Sequence, residues 1–244
     1  MAHNEQYELI NLVKQHFPAS FEGGDVLEIG SLNINGSIRF AFAAKRYVGV
    51  DVAPGPGVDE VCQGQLVDHP SGTFDVTVSC ECMEHNPFWV ETVANMFRMT
   101  KPGGLVIVSC ATTGRAEHGT TRTSGSDSPL SIIIGWEYYR NISTTDFRRT
   151  FSLDYWFEDY LLLANWEHCD LYFVGIKKPD TQGRSLQHLR KALNQRFRPT
   201  RSFRALSVAV AATLFGEFGV GILRSLWHLD PRTSRVGRGM KHPS

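Results

Sequence analysis

Two acidic side chains at defined places could do chemistry here. Glu28 stands two residues before the first glycine of Asp25-Val26-Leu27-Glu28-Ile29-Gly30-Ser31-Leu32-Asn33-Ile34-Asn35-Gly36-Ser37, and Asp51 closes Val48-Gly49-Val50-Asp51. Val26 to Ile29 is a short apolar run ended by glycine, which reads as a buried parallel strand. Asn33 to Ser37 supplies turn and N-cap residues for a helix starting near Gly36. A strand, a small-residue loop and a helix N-terminus make a cradle whose backbone can approach a ligand closely. A carboxylate at Glu28 repels a pyrophosphate and suits an ammonium group. The dinucleotide spacing G-x-G-x-x-G is missing, because Leu32 and Asn35 hold its second and third glycine positions. Asp51, at a strand end, can accept both hydroxyls of a ribose, or it can simply cap the turn Pro54-Gly55-Pro56-Gly57. Together the two acids predict a positively charged nucleoside ligand.

A second group follows the next long strand. Cys80-Glu81-Cys82-Met83-Glu84-His85 lies where an open α/β sheet changes direction, the place such sheets bind ligands, so Cys80 and Glu81 should line the same pocket. His85 and His118 are the two candidates for a general base, and the alternatives are a packed His85 and an exposed His118. Tyr138, Tyr139 and Arg140 follow the loop that carries His118 and are candidates for holding an acceptor. A zinc site from Cys80, Cys82, His85 and Cys110 matches no common spacing, so no metal is expected.

The elements that must position these residues alternate strand and helix. Glu5 to Phe17 has a helical apolar face and ends at Pro18. A helix is expected from Ser37 to Ala44, strands at Tyr47 to Val52, Val58 to Cys62, Phe74 to Cys80 and Leu105 to Cys110, and a helix from Trp89 to Thr100. This rhythm predicts an α/β fold with a doubly wound, mostly parallel sheet. From Ala111 the chain turns rich in Gly, Ser and Thr, too long for a connection, and a lid is expected over about 111–143. Thr144 to Thr150 reads as a helix capped by Thr144 or Thr145. Tyr160 to Ala164 and Asp170 to Ile176 read as the last strands.

These blocks resemble the class I S-adenosylmethionine-dependent methyltransferases. Glu28-Ile29-Gly30 with Asn35-Gly36-Ser37, then Val48-Gly49-Val50-Asp51, Phe74-Asp75-Val76 running to Glu84-His85, and Lys101-Pro102-Gly103-Gly104 stand in that family's order and spacing. The loop departs from the family in lacking its later glycines. The resemblance implies a Rossmann-like sheet of seven strands in the order 3-2-1-4-5-7-6 with the final strand antiparallel. It implies S-adenosyl-L-methionine as cofactor, held by Glu28, Gly30, Ser31, Asn35, Gly36, Asp51, Val52, Gln65, Cys80 and Glu81, with Gln65 near the adenine. A Glu-His pair like Glu84-His85 occurs at this place in many members. Because the sulfonium leaves as a neutral thioether, orientation supplies much of the rate, and a base is needed only for a poor nucleophile such as an alcohol.

Composition is that of a globular protein, with 42% hydrophobic and 20% charged residues and no net charge in 244 residues. The balance is uneven. From Thr181 onward twelve lysines and arginines face only Glu217 and Asp230. Residues 1–180 are therefore expected to form the methyltransferase domain and 181–244 a basic helical extension. Ser185 to Phe197 reads as a basic amphipathic helix, and Ala205 to Leu223 as an apolar one with Glu217 near its centre. That stretch would lie in a membrane interface, dock on its own domain or a second copy, or, least in keeping with Glu217, span a membrane. Five cysteines without framework spacing and a polar start predict a cytoplasmic protein, peripheral at an anionic membrane if the extension binds there. The expected activity is O-methylation of a small-molecule or saccharide hydroxyl. N-methylation of a small amine and a non-catalytic binding module are the alternatives. Nucleic acid fits poorly, given the apolar centre of the basic tail and an acidic remainder.

Overall fold

The computed structural model describes residues 4–197 and 203–228. Seven strands, β1 (Asp25–Ile29), β2 (Arg46–Asp51), β3 (Glu60–Val61), β4 (Phe74–Cys80), β5 (Thr100–Ala111), β6 (Phe157–Asn165) and β7 (Asp170–Lys177), form one sheet. The order is β3-β2-β1-β4-β5-β7-β6, with β1 to β5 parallel and β7 antiparallel to both its neighbours. This is the Rossmann-like arrangement that the resemblance implied.

Alternation along the strands divides the core into two layers. Leu27, Ile29, Val50, Val106 and Val108 pack against α2 (Trp89–Met99) and an aromatic block that includes Phe97, Phe147, Phe151 and Phe173. Val26, Val76, Leu105 and Ile107 pack on the other face, against Leu9, Ile10 and Val13 of α1 (Asn4–His16). Glu28 shares the parity of Val26, so its side chain leaves β1 toward α1 rather than toward α2.

Several local expectations are corrected. The helix expected over 37–44 is a single 3₁₀ turn, Ile38–Ala41, capped by Ser37. It stops there because Ala43 is drawn into backbone hydrogen bonds with Phe21 and Gly23, and Phe40 is left exposed. β3 has only two residues. Within the lid lie α3 (Pro129–Ile133) and a hairpin-like run of turns; after it comes α4 (Thr144–Thr150), and α5 (Leu153–Trp156) leads into β6. The cap of α4 is Ser143, in a reciprocal capping box with Asp146, rather than either threonine.

The extension divides in two. α6 (Gln187–Arg196) lies against α1, and Leu186, Leu189, Leu193 and Phe197 are buried in the α1-side core. α7 (Phe203–His228) is interrupted at Gly216, whose φ of 60° and ψ of −149° break the helix. Val208 and Val220 from its two arms pack together with Cys169 of the β6–β7 turn, while Phe203, Leu214 and Phe215 are exposed. Of the three placements expected for this stretch, α7 shows docking on its own domain. Among the described residues no helix is long and apolar enough to cross a membrane. Arg198, Arg201, Arg232, Arg235, Arg238 and Lys241 of the basic tail lie outside the described residues.

Candidate active site

The carboxyl ends of β1, β2 and β4 open into one cleft. Gly30 and Ser31 donate from their backbone nitrogens to Val50 O at 2.9 and 3.2 Å, which ties the loop after β1 to β2. Gly30 has φ of 81°, and a Cβ there would stand 2.5 Å from Cys82 Cβ, so only glycine lets the β1 and β4 ends come this close. Asn33 Oδ1 accepts from Gly36 N at 2.8 Å and rounds the loop off. The cleft is lined by Gly30, Leu32, Ile34, Asp51, Val52, Cys62, Gly64, Cys80, Glu81, Cys82, His85 and Asn86, and by Asp127 to Ser131 and Trp136 of the lid.

Glu28 sits behind this cleft in a smaller one shared with Gln6, Ser31, Gly36, Ser37 and Cys80; Gly30, Leu32 and Cys80 border both. Its carboxylate accepts from Tyr47 Oη at 2.8 Å. Burial pushes its pKa up to about 7 against the pull of that hydrogen bond and of Arg39. Asp51 faces the cleft, and its two oxygens accept from Leu32 N at 3.0 Å and Val52 N at 2.8 Å. Burial raises its pKa while those two bonds lower it. Neither bond goes to the turn Pro54 to Gly57 that Asp51 was expected to cap if it bound no ribose, and each oxygen keeps a lone pair for a ligand.

Of the expected cofactor residues, Gly30, Asp51, Val52, Cys80 and Glu81 line the main cleft, and Glu28, Ser31 and Gly36 the smaller one. Two lie elsewhere. Asn35 is exposed at the tip of the loop, because the Asn33 turn swings it outward. Gln65 is not on the cleft wall and donates to Gln63 Oε1 at 2.7 Å; Cys62 and Gly64 stand there instead. Leu32 and Ile34, whose apolar side chains gave no signal for ligand binding, supply that wall as well.

The acceptor candidates converge from separated segments. His85 and His118 meet edge to face with ring centroids 4.9 Å apart, and Tyr139 lies 5.5 Å from the first and 5.0 Å from the second. Gly119 is a spacer: a Cβ on it would stand 2.5 Å from His85 Cε1. His85 lines the cleft, while Tyr139 and Arg140 line a second, polar cavity with Arg115, Glu117, Asn141, Thr213 and Gly216. His118 lines neither, but it touches His85 of the one and Tyr139 of the other. Arg140 also pairs with Asp146 at 3.5 Å, whereas Tyr138 lines neither cavity.

Beneath the histidines the charges are crowded. Glu84 is fully buried and Glu81 nearly so, the latter with φ of 50°, a strained conformation for a side chain with a Cβ. Ser109 Oγ donates to Glu81 Oε1 at 3.0 Å, but Glu81 Oε2 and both Glu84 oxygens lack hydrogen bonds. Burial raises both carboxyls, and for Glu81 the neighbouring Glu84 adds to it. Burial drives His85 down to about 3, and also lowers His118. A histidine tuned near neutrality was expected at position 85, and the structure gives a neutral, weakly basic ring. Arg115, which sequence reasoning passed over, is the cation of this region, bonded to Asp170 Oδ1 at 2.9 Å and His168 O at 2.7 Å.

A family profile described as "Methyltransferase domain" matches residues 1–172. A curated protein of Mycolicibacterium smegmatis, described as "Probable S-adenosylmethionine-dependent methyltransferase", is 30% identical over 131 residues, 49% of this chain and 48% of that protein. The chain thus spans about half the length of the curated relative it matches. Among solved structures, Haemonchus contortus phosphoethanolamine N-methyltransferase 2 in complex with S-adenosyl-L-methionine is 15% identical, with 91% of this chain and 47% of that one covered and a TM-score of 0.47. Burkholderia thailandensis 1,6-didemethyltoxoflavin-N1-methyltransferase is 14% identical, with 72% and 91% covered and a TM-score of 0.44. These two likenesses carry no argument about substrate. The profile spans β1 to the start of β7 with the whole cleft, and the chain belongs to the S-adenosylmethionine-dependent methyltransferases of this domain family.

Proposed function

We propose that the cleft transfers a methyl group from S-adenosyl-L-methionine to the hydroxyl of a small molecule, saccharides included. The residues present fit the donor. Gly30 leaves backbone room beside Cys82, Asp51 offers two acceptor oxygens at the end of β2, and Ser31 Oγ is buried without a partner. Asp51 would hold the ribose, and Glu28, reached past Gly30 and Cys80, the ammonium end. When bound, the donor supplies an electrophilic methyl on a sulfonium.

The chain's own contribution is position and dryness. The observation that carries the hydroxyl reading is the meeting of His85, His118 and Tyr139 at the boundary between the cleft and the lid cavity. Two neutral imidazoles offer lone pairs to a hydroxyl proton, and the lid residues Asp127 to Ser131 and Trp136 cover the cleft from water. N-methylation is the second reading, favoured by one observation: the unbonded oxygens of Glu81 and Glu84 would suit an ammonium substrate.

A screen of alcohol, sugar and amine pools with isotopically methyl-labelled donor, read by mass spectrometry, tests this. Labelled methyl ethers are the expected products. Labelled amines alone would transfer the assignment to the second reading, and S-adenosylhomocysteine binding without any labelled product would support a non-catalytic module.

A further inference from the structure

We propose that Glu84, His85 and His118 bind one divalent transition-metal ion at the boundary between the cleft and the lid cavity. Each offers a ligand atom, and these atoms all lie within 4.8 Å of one another. Among the described residues, seven buried side-chain polar atoms lack a hydrogen-bond partner, and three of them belong to this cluster: both oxygens of Glu84 and His85 Nδ1. Each unmade bond costs roughly 1–3 kcal/mol, and more for a charged group, so three in one cluster call for a common ligand.

The chemistry of the group selects that ligand. All three atoms can accept, which suits a cation. Two imidazoles with a carboxylate favour a first-row transition ion or zinc over calcium or magnesium, which prefer oxygen ligands. Three protein ligands also leave coordination positions open. Arg115 is the competing cation, but Asp170 and the His168 carbonyl hold it.

The second ring nitrogen of His118 supports the same assignment. His118 Nδ1 lies 3.1 Å from Ala116 O, and since a carbonyl only accepts, Nδ1 carries the proton there. That leaves Nε2 as the ligand atom, the arrangement by which metal-binding histidines are oriented. Bonds of about 2.0–2.2 Å require tighter spacing than 4.8 Å. His118, partly exposed on the lid, is the member with room to draw in. On the methyl-transfer reading, the ion would bind and acidify the acceptor hydroxyl.

The test uses the full chain, stripped with a chelator and titrated calorimetrically with Mn2+, Co2+ and Zn2+ in turn. His118→Asn and Glu84→Gln are run beside it, with circular dichroism melts as the check on folding. At least one ion should bind one per chain, at least about tenfold more weakly to each variant. No binding of any of the three, or unchanged binding to His118→Asn, overturns the proposal. If Glu84→Gln fails to fold, His118→Asn decides. Titration with S-adenosylhomocysteine separates the two readings. Nucleoside binding without an ion removes only the ion, and an ion bound without the nucleoside removes only the methyl-transfer reading.

Discussion

The two pairs of carboxylates along one sheet edge are opposites. Glu28 and Asp51, at the ends of β1 and β2, are each satisfied within the chain, by Tyr47 Oη and by the Leu32 and Val52 backbone. Glu81 and Glu84, after β4, are buried as well, and three of their four oxygens are unbonded. On the proposed function the first pair marks a donor half, in which Ser31 Oγ is still unpartnered, and the second an acceptor half with three unbonded carboxylate oxygens. Buried polar groups are normally hydrogen-bonded, so the contrast marks where ligand energy enters.

The comparison breaks most readily at Gly30. Gly30→Ala forces a Cβ into Cys82 and a side chain into a left-handed conformation. A loss of about 3–4 kcal/mol in stability is expected from overpacking and backbone strain together, with S-adenosylhomocysteine binding abolished. Denaturant titration and calorimetry check it. Stability and binding that survive would mean the donor half is not the rigid one.

Glu28 gives the next largest effect. Its pKa rises from 4.5 in the unfolded chain to about 7 in the fold. The stability this shift contributes is fully present below pH 4.5 and is lost as pH climbs to 7, a change of about 3 kcal/mol. Glu28→Gln should flatten that slope, which urea melts at several pH values would show. An ammonium arriving beside Glu28 should also expel its proton. Nucleoside binding near pH 6.5 is therefore expected to release protons, measured by calorimetry in buffers of different ionisation enthalpy, and Glu28→Gln should release none. Equal release from both proteins would place the ammonium elsewhere.

Much of the donor half was readable in the chain because its signals are local. A glycine after a strand, an acid at each strand end and the alternation of strand and helix fix Glu28, Gly30 and Asp51 within a few residues of sequence. Asn35 and Gln65 were misplaced for a reason equally local: a side chain one step along a turn points the other way, and polarity alone does not report direction. The helix expected over 37–44 failed because hydrogen bonds to Phe21 and Gly23, distant in sequence, end it after one turn. In the acceptor half, His85 and His118 were each recognised, but nothing in the 32 intervening positions says that they meet. Their meeting depends on lid packing, with Gly119 as the spacer.

Gly119→Ala tests that spacer. The substitution adds a Cβ against His85 and strains a residue with φ of 68°. It should part the two histidines and lower kcat about tenfold, the factor that each 1.4 kcal/mol of lost transition-state stabilisation produces. The dissociation constant for S-adenosylhomocysteine should stay within twofold of the parent's, about 0.4 kcal/mol. A matching loss of nucleoside binding would show that the halves are coupled rather than separate.

The smallest effect is expected from the C-terminal helix. The two parts of the extension differ in what they cover. A cut at residue 180 would strip Leu186, Leu189 and Leu193 from the α1-side core, whereas a cut after Phe197 spares that core and removes only α7 and the basic tail. Thr213 and Gly216 of α7 help to wall the cavity that holds Arg115 and Tyr139, and no described α7 residue touches the cleft of Asp51. Ending the chain after Phe197 should thus raise KM for the acceptor a few-fold and leave nucleoside affinity unchanged, as steady-state kinetics and calorimetry would report. A cost in nucleoside affinity would extend α7's influence across the sheet edge. The opposite outcome, no change in either, would reduce the helix to a cover for Cys169, because Val208 and Val220 would then be burying surface that catalysis does not use.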